Sequence, residues 1–181
     1  MRYDTHIITS VTAGAGISLI LSVPFTFGYV TGIIIGSILP DIDEPNSYIS
    51  RRSFSIYKVI NSKYGHQGIT HSLFIWLIFS IFSLSIFHNF FGLGLSLGYL
   101  FHILGDLFSV SGVPLLMPFG AKKIQLPKYL TYKTSSDSET SIFFFSFIIL
   151  VTILAIVVDS QFVTSLHSFK TELIKLTSRF S

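Results

Sequence analysis

Eight ionisable side chains stand inside or beside otherwise apolar stretches of this sequence, where such groups are rare and mark candidate functional sites. They are His6, Asp41, Asp43, His66, His71, His102, Asp106 and Glu139. Imidazole and carboxylate groups bind zinc, manganese or magnesium, and the chain has no cysteine that could supply a thiolate. A divalent ion held in this way lowers the pKa of bound water to roughly 7. The residue set therefore predicts metal-dependent hydrolysis.

These candidates differ in how strongly their surroundings point to a site. His102 and Asp106 are four residues apart, so one helical face carries both, and burying both is costly without a partner such as a metal. His6 at a membrane boundary also fits a purely structural role. Asp41 and Asp43 follow Pro40, and paired aspartates beside proline are typical of solvated turns.

The composition indicates a membrane protein. Of 181 residues, 50% are hydrophobic and 12% charged, and the mean hydropathy is +0.67, whereas soluble domains average about 25% charged residues. These values exclude a disordered chain, and the net charge of +3 is too small to indicate a nucleic-acid partner. The sequence predicts an all-α, polytopic transmembrane bundle.

Charge spacing divides the chain into helices. Apart from histidine, residues 5–40, 64–105 and 140–158 carry no charged side chain. Since one span needs about 20 apolar residues, we predict five spans near residues 7–23, 26–39, 72–88, 90–109 and 141–158. Residues 162–176 show the pattern of an amphipathic helix on the outer membrane surface. We therefore divide the chain into a helical domain, 1–160, and an amphipathic segment, 161–181.

Two of the predicted helices carry rows of glycine at four-residue spacing. The second has Gly28, Gly32 and Gly36, and the fourth has Gly94 and Gly98. Small residues at this spacing let helix backbones approach closely in membranes. Ordinary tolerance of glycine in membrane helices is the alternative explanation.

Alternation of helix ends across the membrane places all eight candidates on one face, with His88 and His167 on the other. The candidate face receives nine Lys and Arg residues and the opposite face three. Because positive residues favour the cytoplasm, we expect a multi-pass membrane protein with a cytoplasmic site.

Several motifs match one known family over roughly residues 6–140. They are His6, Gly-Ser-Ile-Leu-Pro-Asp-Ile-Asp at 36–43, Ser47 with Arg51-Arg52, Gly-His-Gln-Gly-Ile-Thr-His-Ser at 65–72, Gly-Tyr-Leu-Phe-His at 98–102 with Asp106, and Gly-Val-Pro-Leu-Leu-Met-Pro-Phe at 112–119. The chain resembles the YdjM-like family of inner-membrane-associated metal-dependent hydrolases. The resemblance implies hydrolase chemistry and a location in the bacterial inner membrane, but no particular substrate. Gln67 departs from the family, which usually has arginine there.

We assign six metal ligands and five further site residues. The ligands are His6, Asp41, His66, His71, His102 and Asp106; the catalytic candidates are Asp43 and Glu139; the substrate-binding candidates are Ser47, Arg51 and Arg52. Glu139 could act as a ligand or as a general base. The arginines could neutralise phosphoester charge or serve only as positive-inside anchors.

At a membrane surface, this chemistry favours a lipid or lipid-linked phosphoester as substrate and zinc as the cofactor, with manganese or magnesium as alternatives. Residues 113–119, interrupted by Pro114 and Pro118, cannot form a straight helix and could guide an acyl chain or form a simple loop. A transporter of metal or protons and a structural or regulatory membrane protein stay as alternatives. Candidates confined to one face disfavour transport. The sequence gives no oligomeric state.

The charge asymmetry makes the topology testable with reporter fusions. A reporter fused after Lys63 or Lys128 should be cytoplasmic, and one after Phe87 should be external, because nine of the twelve Lys and Arg residues lie on the first side. Alkaline phosphatase and fluorescent-protein fusions measure this. Reversed signals would exclude a cytoplasmic site.

Overall fold

The structure, a computed structural model, describes residues 1–43 and 68–177, with side chains described for 1–42 and 68–157. These residues form α-helices and short 3-10 turns without a β-strand, which confirms the predicted all-α class. The helices are α1 (Tyr3–Leu21), α2 (Phe27–Gly36), α3 (Leu73–Ile86), α4 (Phe90–Leu107) and α5 (Asp137–Thr177), and the turns are Pro40–Asp43, Ile69–His71 and Lys128–Leu130.

Polar side chains fix the start of three helices. Thr26, Ser72 and Asn89 precede α2, α3 and α4, and the side-chain oxygen of each accepts a hydrogen bond from a backbone N–H of the first turn, at 3.2, 3.2 and 3.0 Å. Such caps satisfy donors that would otherwise be unpaired at a helix N-terminus. They therefore set the points at which the apolar helices begin.

The helices α2 and α4 pack backbone against backbone. A Cβ atom on Gly32 or Gly36 would overlap the carbonyl oxygens of Phe91 or Leu95, respectively. Reciprocally, a Cβ on Gly94 or Gly98 would overlap carbonyl oxygens of α2. The close approach predicted from the glycine rows is confirmed at these four positions. Gly28 is outside it, since its added Cβ would meet only the Phe91 side chain, at 3.8 Å.

The core lies where α1 meets this pair. Val11 of α1 packs with Tyr29 and Ile33 of α2, and the two α2 residues are fully buried. The Tyr29 hydroxyl donates a hydrogen bond to the Gly14 carbonyl at 3.2 Å, so the buried phenol is satisfied. One face of the short helix α2 is therefore enclosed by α1 and α4.

Polar contacts join α3 to α4. The Trp76 indole N–H donates to the Ser96 carbonyl at 3.0 Å, and the hydroxyls of Ser80 and Ser96 are 2.7 Å apart. Ser83 Oγ donates to the Gly92 carbonyl at 3.1 Å. Hydrogen bonds of this kind stabilise helix pairs in membranes, where apolar burial alone gives little.

The helix α5 lies at the periphery. None of its side chains between 140 and 157 is fully buried, and Thr12 Oγ1 of α1 donates to the Ser146 carbonyl at 3.0 Å. Its apolar residues, including Phe145 and Ile148, are exposed on the outside of the bundle. This surface suits contact with lipid.

Three helices are long and apolar enough to cross a membrane: Tyr3–Leu21, Phe90–Leu107 and the Asp137–Val157 part of α5. The apolar helices α2 and α3 have 10 and 14 residues, hence about 15 and 21 Å against a hydrocarbon core of about 30 Å. Five helices are confirmed among the described residues, and three of them have the length and composition of a full span. The predicted amphipathic helix 162–176 continues α5 without a break; the division at residue 160 and its surface location stay predictions.

The segment between α4 and α5 folds back over the end of the bundle. Val113 and Ile124 exchange two backbone hydrogen bonds, at 2.9 and 2.8 Å, and Leu115 accepts one from Leu73 N at 3.0 Å. Turns form residues 115–119, so the prediction that 113–119 is not a straight helix is confirmed. Phe119 is exposed and packs edge-on against Phe74.

The glycine contact between α2 and α4 predicts a difference between two equivalent substitutions. Gly36→Ala should lower stability by about 1–3 kcal/mol, because its methyl group must push the backbones apart. Gly28→Ala, on the same helix, should be neutral or slightly stabilising, since space exists and alanine favours helix by about 1 kcal/mol. Thermal unfolding in detergent, followed by fluorescence of the single tryptophan, Trp76, checks this. Equal effects would contradict the packing described.

Candidate metal centre

Helix ends from four parts of the chain meet at one end of the bundle. They contribute His6 from the first turn of α1, Asp41 from the turn after α2, His71 from the turn before α3, and His102 and Asp106 from the last turns of α4. The imidazoles of all three histidines and the Asp106 carboxylate are buried, with at most 1% of each exposed, and the Asp41 side chain is 15% exposed. The sequence-based expectation that these five residues share one end is confirmed.

Four of these residues form a compact set of donor atoms, here called the ligand group: Asp41, His71, His102 and Asp106. The Nε2 atoms of His71 and His102 are 3.3 Å apart. Asp106 Oδ2 lies 3.4 Å from His71 Nε2 and 3.5 Å from His102 Nε2. Asp41 Oδ1 lies 3.8 and 3.4 Å from the same two nitrogens. All four donors fall within 4.8 Å of one another.

These separations suit a small divalent ion. Zinc binds nitrogen and carboxylate oxygen at about 2.0–2.2 Å, and four ligands at the corners of such a tetrahedron lie about 3.3–3.5 Å apart. The five measured separations, from 3.3 to 3.8 Å, are close to this value. The ligand group could therefore hold a metal ion with little rearrangement.

Hydrogen bonds on the far side of the imidazoles orient them. His102 Nδ1 donates to the Ser37 carbonyl at 2.6 Å, which directs the Nε2 lone pair into the ligand group. His71 Nδ1 lies 3.1 Å from Thr70 Oγ1, and the Tyr99 hydroxyl donates to the Thr70 carbonyl at 2.6 Å. Metal-bound histidines commonly use the second nitrogen in this way. The chemistry of the donor set thus fits a metal.

His6 sits beside the ligand group rather than within it. Its ring stacks on His102 with centroids 3.7 Å apart, and its Nε2 lies 3.3 Å from Asp106 Oδ1, the oxygen that faces away from the other histidines. The Met1 ammonium lies 3.2 Å from the same oxygen. His6 Nδ1 is buried without a hydrogen-bond partner among the described residues. As placed, His6 supports Asp106, and its assignment as a ligand stays a prediction.

The Asp41 carboxylate is charged. Burial acts to raise its pKa, but the neighbouring imidazoles, above all that of His102, outweigh burial and lower the pKa of Asp41 to about 2. At neutral pH the carboxylate therefore needs no deprotonation before it binds a cation.

Glu139 lies at the same end of the bundle but outside the ligand group. Its Oε1 accepts a hydrogen bond from Arg2 N at 2.5 Å and its Oε2 one from Ser135 N at 2.6 Å. The fully buried carboxylate thereby ties the start of α1 to the start of α5. This position gives Glu139 a structural role, and its assignment as a catalytic residue stays a prediction.

The connecting segment contributes Tyr132, which the sequence did not single out. Its hydroxyl donates to the Gly105 carbonyl at 3.0 Å. Burial raises the pKa of this phenol, and the carboxylates of Asp106 and Glu139 raise it further. Tyr132 therefore stays protonated and closes the end of α4.

Other supporting residues also escaped the sequence analysis, namely Ser37, Thr70 and Tyr99. Each had a usable signal: Ser37 lies within the Gly-Ser-Ile-Leu-Pro-Asp motif, Thr70 directly precedes His71, and Tyr99 is three residues before His102. The remaining predicted site residues, Ser47, Arg51, Arg52 and His66, together with Gln67 and the side chain of Asp43, lie outside the described part of the chain.

The fold and the ligand group define a class: a helical membrane protein with a buried cluster of histidine and aspartate at one end. The chain matches the family described as YdjM inner membrane protein over residues 1–163 and belongs to that family.

Individual relatives agree with this membership. The inner membrane protein YdjM of Escherichia coli K12 is 40% identical over 95 residues, or 49% of this chain and 48% of the relative. The uncharacterized protein YvsG of Bacillus subtilis 168 is 37% identical over 106 residues, or 58% of this chain and 64% of the relative. The match thus spans about half the length of YdjM from E. coli. No solved structure matches the chain.

The ligand group predicts which side chains retain a metal. His71→Ala, His102→Ala and Asp106→Asn should each lower the bound metal strongly while the protein still inserts into membranes, because each removes one donor and leaves the apolar packing in place. Elemental analysis of purified protein measures bound metal. His88→Ala is the control, since His88 is exposed between α3 and α4. Wild-type metal content in all three variants would refute the site.

Proposed function

We propose that this chain is a membrane-embedded, metal-dependent hydrolase that cleaves a phosphoester bond of a lipid or lipid-linked molecule at the cytoplasmic face of the inner membrane. The observation that carries the proposal is the convergence of four acceptor atoms, two imidazole nitrogens and two carboxylate oxygens, within 4.8 Å. Acceptors placed so closely repel one another unless a cation or protons lie between them.

Zinc is the proposed ion. Two nitrogen and two oxygen donors at these separations suit four-coordinate zinc, whereas magnesium prefers octahedral oxygen ligands, and manganese also suits oxygen donors. When bound, the ion would supply Lewis acidity toward a phosphoryl oxygen.

The side chains around the ligand group prepare it for this task. The Ser37 carbonyl accepts a hydrogen bond from His102 Nδ1, so that Nε2 is the nitrogen that faces the other donors. Asp41 is the one member of the ligand group that is partly exposed, and the substrate would therefore approach from its side. The buried histidines and Asp106 exclude water from the other sides.

The position of the ligand group supports a substrate whose polar head group lies at the membrane surface. The ligand group is at the ends of helices that are long enough to span, so it lies near the polar boundary of the bilayer. Arg51 and Arg52 follow Asp41 in the chain and precede His71, and guanidinium groups are suited to bind phosphate. The excess of Lys and Arg that the sequence predicts on this side of the membrane supports a cytoplasmic location.

Hydrolysis can be tested directly with the purified, zinc-loaded protein. A panel of phospholipids in mixed micelles, including phosphatidic acid and phosphatidylglycerol, should contain a substrate from which phosphate or a head group is released. His102→Ala and Asp106→Asn should lower the rate more than about 100-fold, since even residues that only orient ligands contribute 10–100-fold. His88→Ala should retain the full rate, and a chelator should abolish it.

Glu139→Gln separates the two roles of that residue. If Glu139 is a general base, the variant should hydrolyse roughly 10²–10⁴-fold more slowly at unchanged stability. The structural role seen here predicts instead a loss of about 1–3 kcal/mol of stability, because one backbone N–H loses its acceptor.

If the whole panel of phospholipids is inert with zinc, manganese and magnesium alike, the hydrolase proposal fails.

A further inference from the structure

A cavity of about 490 Å³ lies between α1, α4 and α5, next to the ligand group. Its wall is mostly apolar and includes Ala13 of α1, Phe101 and Leu104 of α4, and Ile142 of α5. Its volume is within the range of small-molecule sites. The cavity is an open cleft rather than a sealed void, so a ligand can enter it from outside.

The depth of the cavity matches one leaflet of a bilayer. Its wall extends along α1 as far as Ala13, ten residues after the start of the helix at Tyr3. Ten residues correspond to about 15 Å of helix, which is half of a hydrocarbon core of about 30 Å. A hydrocarbon chain that enters at the head-group level would reach about this far.

The cavity also opens toward lipid. Leu104, Phe108 and Leu130 line it and are 41%, 43% and 49% exposed. Leu104 belongs to α4, one of the helices long enough to cross the membrane. A lipid chain could therefore enter from the side without passing through water.

One point of the wall touches the surroundings of the ligand group. Gly105 lines the cavity, and a Cβ atom on it would lie 3.5 Å from His6 Nδ1 and 3.2 Å from Met1 Cε. His6 Nδ1 is the buried atom without a partner among the described residues, and its ring contacts Asp106 through Nε2. The apolar cavity thus has a polar end one residue away from the metal donors.

We propose that this cavity holds one hydrocarbon chain of the lipid phosphoester, with the head group at the end near His6 and Asp106. The identity of the head group rests on the proposed function, whereas chain binding does not depend on hydrolysis. Because the chain moves from lipid rather than from water, burial gives little net affinity, and selection depends on fit. A larger side chain placed in the cavity should therefore prevent the hydrocarbon chain from entering.

Photo-crosslinking of the full chain in detergent micelles tests the proposal. The probe is phosphatidic acid with a diazirine near the end of a palmitoyl chain, and crosslinked peptides are mapped by mass spectrometry. Crosslinks should concentrate on the cavity wall, at residues 9–13, 101–104 and 142. Gly105→Leu should reduce them at least fivefold. Gly16→Leu is the control, since nothing lies within 4 Å of a Cβ added there.

A second variant keeps the test decisive if Gly105→Leu fails to fold. Ala13→Phe fills the deep part of the cavity, so it should lose the palmitoyl crosslinks and keep those of an eight-carbon probe. Crosslinks spread over the outer faces of α3 and α5, and unchanged in both variants, would overturn the inference even in an active enzyme. Localised crosslinks that both variants reduce, in a protein without hydrolysis or bound zinc, would support the cavity and count against the proposed function alone.

Discussion

The close approach of α2 and α4 is the constraint on which the candidate site depends. Gly36 packs against the backbone of α4, and the next residue, Ser37, offers its carbonyl to His102 Nδ1 at 2.6 Å. Gly98, one turn before His102, makes the reciprocal contact with α2. A single methyl group at this interface would push the two backbones apart and break the hydrogen bond between Ser37 and His102. The glycines therefore help to fix the orientation of the His102 imidazole. The geometry of the cluster thus depends directly on how closely α2 and α4 pack.

Buried ionisable groups at the end of a membrane bundle need mutual compensation. Two carboxylates and three imidazoles share the region with the Met1 ammonium, and at most 15% of any of these five side chains is exposed. Each charge is costly to remove from water unless it is paired or binds a cation. Three kinds of interaction offset this cost: direct contacts among the five side chains, a 2.6 Å hydrogen bond from His102 to the Ser37 carbonyl, and stacking of His6 on the His102 imidazole. Because these helix ends meet, all five ionisable side chains lie at one end of the bundle.

The sequence predicted which residues lie together better than it predicted what each of them does. Charge-free stretches gave the helices, and alternation of their ends brought His6, Asp41, His71, His102 and Asp106 together, since those arguments depend only on bilayer thickness and chain direction. Roles within the cluster depend on side-chain rotamers and on distances of a few ångströms, which spacing does not contain. The sequence could not show that His6 contacts Oδ1 of Asp106 beside the ligand group, or that Glu139 accepts two backbone hydrogen bonds. The uninterrupted α5 was also missed, because a change from apolar to amphipathic pattern does not by itself end a helix.

The wide spacing of the donors along the chain has a consequence for biosynthesis. Asp41 follows α2, His71 precedes α3, and His102 and Asp106 are at the end of α4. A nascent chain that has inserted only its first hairpin therefore contains one donor of the four. Glu139 then joins the start of α5 to Arg2, across 137 positions of sequence. The cluster is complete only when the fourth helix has left the ribosome and packed, and the start of α1 gains its hydrogen bond to Glu139 only after α5 has begun. An ion that needed all four donors could therefore bind only after α4 has packed against the first hairpin.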